Sequence, residues 1–265
     1  MEQVPLEPLD TTELQQKYDD WIRFVERSHH GSNPRINPGD AFTPLKKPLS
    51  ESRVALVTTA GAHLADQTPF HVETVAGDPT HRILPDDLDT SDLRFTHTHY
   101  DTAPAEQDPN CVFPIDRLHE LVERGRLGAA SPVHIGMMGF NPDPSPIQDD
   151  LAPRVAGILA DAEVDVAIMI PGCPMCHRSV GLVQGVVEAS GIPTVTISMR
   201  PDVTFGVRVP RAAYARFPHG NPFGEPHQPE QHHLVFEALL QLLEQATAPT
   251  FVELPFRWRR WKQWL

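Results

Sequence analysis

Apolar positions in this chain follow two alternating rhythms. Between residues 10 and 28, Leu14, Tyr18, Trp21, Ile22 and Val25 recur at helical spacing, and Asp10 and Glu13 have the spacing of a capping box, which predicts an amphipathic helix. A polar, proline-bearing connector over 31–50 follows. "RVALVTT" (53–59) is a continuous apolar and β-branched run, the pattern of a strand buried on both faces. It gives way to a glycine-containing turn, "AGAHL". The same alternation continues downstream. Residues 114–128 read as a helix with Leu118, Leu121 and Val122 inward and Gly125 as its stop. "PVHIGMM" (132–138) reads as a strand, followed by a helix from about Asp149 or Asp150 with Leu151, Val155, Ile158 and Leu159 inward and Pro153 in its first turn. "VDVAIMI" (164–170) is a further buried strand. The next helix carries Val180, Val183 and Val187 inward, and Gly181 and Gly185 are expected to let it approach the sheet. "GIPTVTIS" (191–198) is another strand, and a leucine-rich helix spans about 231–246.

Strands alternating with helices predict an α/β fold with a mostly parallel sheet, helices on both faces and long functional loops. The expected organisation is an N-terminal helix and connector (1–50) before an α/β catalytic domain (51–265), or one continuous domain over 1–265. Residues 66–112 and 200–227 lack clear periodicity and are expected to form the loops that shape a site.

Composition narrows the functional classes. A formal charge of −13 over 265 residues leaves no excess of Lys and Arg to replace phosphate counterions, so nucleic acid is not the expected partner. No apolar run approaches the roughly 18–20 residues of a membrane span, and the acidic start does not have the pattern of a secretory signal. Three cysteines do not make a disulfide framework. The cytoplasm is therefore the expected location, where a close cysteine pair is more often catalytic or metal-binding than structural.

That pair is Cys173 and Cys176, in the turn between the strand 164–170 and the next helix. In open parallel sheets such turns, at the carboxyl ends of strands, are where ligands bind. The start of a helix also favours a thiolate, and His177 and Arg178 follow with further positive charge. A second constellation is "FTHTHYDT" (95–102). In an extended segment His97 and His99 would face the same way, with Tyr100, Asp101 and Asp108 nearby. Two such imidazoles can bind a metal, polarise a substrate or shuttle protons. Thr58, Thr59, Gly61 and His63 leave another strand end, where amides freed by Gly61 would suit a carboxylate. "RFPHGNPFGEP" (216–226) carries His219 and reads either as a flap over the site or as a plain connector. Cys111 reads as a packed small residue near a helix start.

These stretches together resemble the selenoprotein B family, the catalytic subunits of glycine, sarcosine and betaine reductases and of D-proline reductase. The likeness runs through "RVALVTTAGAHL", "FTHTHYDT", "VFPIDRLHELVERGRLG", "VDVAIMIPGCPMCHRSVGLVQGVVEASGIPTV" and "FPHGNPFGEP". The resemblance implies that Cys173 occupies the position of a selenocysteine that attacks the substrate carbon and displaces an amine, with Cys176 following in a cysteine-only branch. It also implies a companion subunit bearing a pyruvoyl group, an electrophile that nothing in this chain supplies.

The leading expectation is a thiol-dependent reductase or reductive lyase acting on a small polar molecule. Cys173 would be the attacking thiolate and Cys176 the resolving thiol, with an external thiol or thioredoxin-like donor as reductant. His97 and His99 would position the substrate or protonate the leaving group, oriented by Asp101, while Thr59, Gly61, His63, Tyr100, His177 and His219 line the site. The alternative is a lyase or hydrolase using Zn²⁺ or Fe²⁺ held by His97, His99, Cys173 and Cys176. A third reading is a non-catalytic subunit of a reductase complex. Trp258, Trp261 and Trp264 either pack back on the domain or form an interface, and a homodimer is the default assembly.

Overall fold

A computed structural model describes residues 4–29, 35–37 and 41–264. The strands are β1 (Glu7–Pro8), β2 (Arg53–Thr58), β3 (Ala62–Leu64), β4 (His81–Pro85), β5 (Leu93–Phe95), β6 (Ala129–Ala130), β7 (Val133–Met137), β8 (Val166–Ile170), β9 (Thr194–Ser198), β10 (Arg211–Arg216) and β11 (Thr250–Arg257). The helices are α1 (Leu14–His29), α2 (Ala103–Gln107), α3 (Ile115–Glu123), α4 (Ala152–Asp161), α5 (Pro174–Ala189), α6 (Pro201–Gly206) and α7 (Pro229–Gln245). A π-helical turn, Ile147–Leu151, leads into α4.

The main sheet runs in the order β1-β11-β10-β9-β8-β2-β7-β4, with β6 also on β2. Its interior is parallel, and the short β1 and the longer β4 close the two edges antiparallel. This bears out the mixed α/β expectation. Pro132 interrupts what would otherwise be one strand, splitting β6 from β7. The His134 ring reaches across the gap, and its Nδ1 accepts the Leu56 amide at 3.0 Å. Successive side chains of the central strands point to opposite faces. Val54, Leu56, Ile168, Ile170, Val195 and Ile197 join one apolar layer that includes α3 and α7, while Ala55, Val57, Ala167 and Met169 join another with α4 and α5. Both faces are dry, which is why these strands read as unbroken apolar runs rather than as alternations.

The sheet is doubly wound. From β2 the chain moves to β7 on one side, then crosses back to β8 on the other and continues outward through β9 and β10. Strand order therefore reverses at β2 and β8, and the crevice between their carboxyl ends is the place such folds reserve for ligands.

Several loops turn out to be structured. β4, β5, β10, α2 and α6 lie in segments whose periodicity is weak. β10 is flanked by arginines, and one of them, Arg211, is fully buried. Gly181 and Gly185 do not face the sheet. A Cβ on Gly181 would meet Val207 at 2.5 Å, and one on Gly185 would meet Asn37 at 2.1 Å. They admit the connector and the α6 exit, and Asn37 donates to the Gly181 carbonyl at 2.9 Å. Helix α1 packs on α6, where Gly206 leaves room for the Tyr18 ring. At the C-terminus Trp261 is buried and Trp258 packs against the same core. No helix among the described residues is long and apolar enough to cross a membrane.

A buried ion pair locks the back of the sheet. Arg211 Nη1 donates to Glu188 Oε1 at 2.7 Å, with both side chains fully removed from water. Glu188 also accepts the amides of Thr43 and Thr194, and Arg211 reaches the Thr43 carbonyl while lying over Phe42. Glu188 and the two terminal nitrogens of Arg211 are paired, although Arg211 Nε has no partner among the described residues; removing one member strands the other's charge. Arg211→Met is expected to lower stability by about 3–5 kcal/mol. Urea unfolding of the two proteins checks this: the midpoint should fall with an unchanged slope, and an unmoved midpoint would refute it.

Candidate active site

The β8 strand ends at Ile170, and Pro171 and Gly172 turn the chain into α5. Cys173 is the N-cap of that helix, its Sγ accepting the Cys176 amide at 3.1 Å. Pro174 fits the first helical position, where the amide it lacks would have no partner within the helix. One helical turn then brings the two sulfurs to 2.6 Å apart. Both are fully buried, but only Cys173 lines a small, mostly apolar cavity of about 160 Å³. Trp21, Phe24 and Val25 of α1, with His99, Phe140 and Met175, form much of the rest of its wall.

Two glycines make this turn possible. A Cβ on Gly139 would stand 2.7 Å from Cys176 Sγ, and one on Gly172 would stand 3.0 Å from Ala60 Cα and from the Tyr100 ring. Neither Gly139 nor the α1 wall was anticipated from sequence. The available signal was a glycine directly beyond a buried strand, at the same end of the sheet as the cysteines.

The loop bearing His97 comes from elsewhere and is pinned separately. Gly61, with φ at +77°, donates its amide to Met137 and accepts that of Thr96. Its N–H is therefore spent on backbone pairing and is not free for a carboxylate. The ring of His63 bridges the Leu64 carbonyl and the Thr96 hydroxyl, so it holds the loop and does not enter the cavity. Beyond β5 the chain bends at 98–100, which breaks the alternation expected of an extended segment. His97 turns inward, placing Nε2 3.3 Å from Cys176 Sγ. His99 turns outward onto Phe140, stacked with centroids 3.5 Å apart. The two rings are 84° from coplanar and do not share a target.

The amide of His99 donates to His97 Nδ1 at 3.0 Å. That bond requires a lone pair on Nδ1, so the neutral ring carries its proton on Nε2 and donates toward Cys176. Asp101 does not orient either imidazole; it is exposed and caps α2 through the Ala103 amide. The Thr59 carbonyl, 3.3 Å from Cys176 Sγ, accepts from that sulfur when it is protonated. Tyr100 donates to the Ala60 carbonyl at 2.7 Å, and burial, then the nearby sulfurs, push its phenol well above the ordinary range.

His177 and Arg178 do not bring charge to the sulfurs. Met199 N–H donates to His177 Nε2, leaving Nδ1–H to donate to the Cys173 carbonyl at 2.7 Å. Burial, followed by His219, pushes its pKa down to about 3, so it is a neutral brace beneath the turn. Arg178 gives Nη2 to the Asn141 and Pro142 carbonyls, while its Nε and Nη1 have no partner among the described residues. The 216–226 segment connects β10 to α7 and also covers the turn: Gly220 donates to the Gly172 carbonyl at 2.8 Å, and His219 meets the His177 ring edge-on. Asp108 and Cys111 lie apart from this cluster, in a second one with His232.

The sulfurs titrate unequally. Burial opposes ionisation of both. For Cys176 that is outweighed by the Cys173 thiol and by His97, which hold it well below the ordinary thiol range. For Cys173, burial and the charge next door push the thiol well above it. Ionisation of the pair is therefore favoured at Cys176 and opposed at Cys173, the reverse of the thiolate expected at position 173. His97, Cys173 and Cys176 also offer three donor atoms within 4.8 Å of one another.

A family model described as glycine/sarcosine/betaine reductase selenoprotein B matches residues 32–171, ending just before the cysteine turn. The chain is 36% identical over 224 residues to the D-proline reductase subunit gamma of Acetoanaerobium sticklandii, covering 84% of this chain and 91% of that one. It is 27% identical over 212 residues to a glycine reductase complex component B subunit gamma of Symbiobacterium thermophilum, and 26% identical over 164 residues to that of Carboxydothermus hydrogenoformans. These alignments cover 78% and 61% of this chain, but only 48% and 36% of the two glycine reductase subunits, so the chain matches half of their length or less. No solved structure matches it.

Thiolate absorbance measured against pH should show one sulfur ionising below the ordinary thiol range. Cys176→Ser should abolish that step, and His97→Ala should move it upward because a hydrogen-bond donor is lost. A step that survives Cys176→Ser unchanged would refute the assignment.

Proposed function

The chain belongs to the glycine/sarcosine/betaine reductase selenoprotein B family, and from that premise we propose that it is a catalytic reductase subunit in which a cysteine pair replaces the selenol. The observation that carries this reading is the arrangement of the sulfurs: Cys173 lines the cavity, and Cys176 stands 2.6 Å behind it with His97 Nε2 at 3.3 Å.

In the proposed reaction the two sulfurs, 2.6 Å apart, share one proton, and Cys173 attacks a substrate carbon while that proton rests on Cys176. The new S–C bond forms while the bond from carbon to the leaving group breaks. The leaving group departs with the bonding pair and takes up a proton from solvent. Cys176 sulfur then attacks Cys173 sulfur. The S–S bond forms, the S–C pair returns to carbon, and carbon takes the proton that Cys176 carried. The substrate gains two electrons and the dithiol becomes a disulfide, which an external thiol or thioredoxin-like donor must reduce. Holding both sulfurs and His97 in fixed contact supplies the orientation such a sequence needs.

The substrate is proposed to be a small molecule, matched to the cavity volume, with an apolar portion against Trp21 and Phe140. A companion subunit that activates it is part of the proposal; its support is that the curated relatives are named as subunits of reductase systems. Assembly as a homodimer and a cytoplasmic location complete the reading.

The metal alternative has one observation in its favour, the three clustered donors. Against it, a metal on His97 Nε2 would need the proton moved to Nδ1, where it would oppose the His99 amide. His99 also faces away from the sulfurs. The thiol reading is preferred on that ground.

Turnover of a panel containing glycine, sarcosine, betaine and D-proline, with dithiothreitol as reductant and the companion subunits present, tests the proposal. Cys173→Ser should lower the rate by about 10²-fold or more. Cys176→Ser should stall after the first bond exchange, leaving a substrate adduct on Cys173 visible by mass spectrometry. Unchanged turnover in Cys173→Ser would overturn it.

A further inference from the structure

Away from the cysteine turn, the region where the 96–112 loop meets the start of α7 gathers Asp108, Cys111 and His232. A carboxylate oxygen, the sulfur and one ring nitrogen all lie within 4.8 Å of one another. Asp108 is 8% exposed, and Cys111 and His232 are fully buried. His232 Nε2 is 2.8 Å from the Glu225 carbonyl. A carbonyl only accepts, so Nε2 carries the proton and Nδ1 keeps its lone pair. Among the described residues that Nδ1 has no hydrogen-bond partner. An unpaired acceptor on a fully buried ring is costly, and the ring that carries it shares one cluster with the Asp108 carboxylate and the Cys111 sulfur.

We propose that Asp108, Cys111 and His232 form a Zn²⁺ site distinct from the cysteine turn, with His232 bound through Nδ1. The donor set is one sulfur, one imidazole nitrogen and one carboxylate oxygen, each a ligand type that Zn²⁺ accepts, with a fourth position for water. Ligand atoms around a tetrahedral Zn²⁺ are about 3–4 Å apart, so binding would draw the three side chains together. The second contact of the histidine is also in place: the Glu225 carbonyl on Nε2–H fixes ring orientation and raises the basicity of Nδ1. His97 differs in this respect, because the His99 amide occupies its far nitrogen as a donor.

The site's place in the fold gives the metal a structural job. Asp108 Oδ2 accepts the His227 amide at 2.8 Å, and the Cys111 carbonyl accepts the Phe223 amide at 3.1 Å. The loop that carries His97 and the segment that covers the cysteine turn are thus already joined here. A cation bridging Asp108, Cys111 and His232 would clamp them and hold the imidazole at its distance from Cys176.

The test uses the full chain carrying Cys173→Ser and Cys176→Ser, so that the other cluster cannot hold metal through sulfur. Zn²⁺ loading followed by desalting and elemental analysis should retain about one equivalent per chain. The Co²⁺ form should show thiolate-to-metal charge transfer, and adding Cys111→Ser or His232→Ala should remove it. Zn X-ray absorption on the unsubstituted chain gives a readout that needs no variant to fold: one sulfur with light-atom ligands supports the site, whereas two sulfurs would put the metal on the cysteine turn and overturn it. No retained metal, or a Co²⁺ spectrum indifferent to Cys111→Ser, would overturn it as well.

Discussion

A buried sulfur ionises only where hydrogen-bond donors face it, and two donors converge on Cys176. The Cys173 thiol stands one helical turn away because the strand-to-helix turn makes Cys173 the N-cap. The His97 imidazole arrives from a different loop, with its proton placed by the His99 amide. Gly139 and Gly172 remove the side chains that would keep these pieces apart. Most of these contacts are individually ordinary. What is unusual is that they converge on one atom from the ends of β2, β7 and β8 and from the 96–100 loop.

The frame of the molecule was legible because its central strands are buried on both sides. Continuous apolar runs such as 53–58 and 166–170 leave little else for the chain to do, and the helices between them carry clear stripes. Elements without that imprint were missed. β10 begins with Arg211, a residue whose charge would normally argue for solvent, but whose partner Glu188 lies 23 positions earlier and is recognisable only in three dimensions. The glycines of α5 were seen, yet which neighbour they admit depends on how the connector and the α6 exit wrap the helix.

The candidate site was legible in part for a similar reason. The place of Cys173 and Cys176 follows from local sequence: strand, turn, proline, helix. The behaviour of His97 and His99 does not, because alternation predicts facing only while the chain stays extended, and it bends there. The charges expected from His177 and Arg178 were lost to burial and to carbonyl partners, which no linear pattern displays. The relation to the reductase family fits what the geometry retains, a reactive chalcogen position beyond the third parallel strand with an imidazole against it.

The clasp over the cysteine turn carries one more consequence. The Gly220 amide is tied to Gly172, and the Tyr100 ring is wedged between those two glycines with its hydroxyl anchored on Ala60. That side of the pocket cannot swing open without undoing all three attachments. Much of the cavity's remaining wall is α1, where Phe24 stands 57% exposed. The N-terminal helix, remote in sequence from every reactive atom, is thereby part of the site's enclosure.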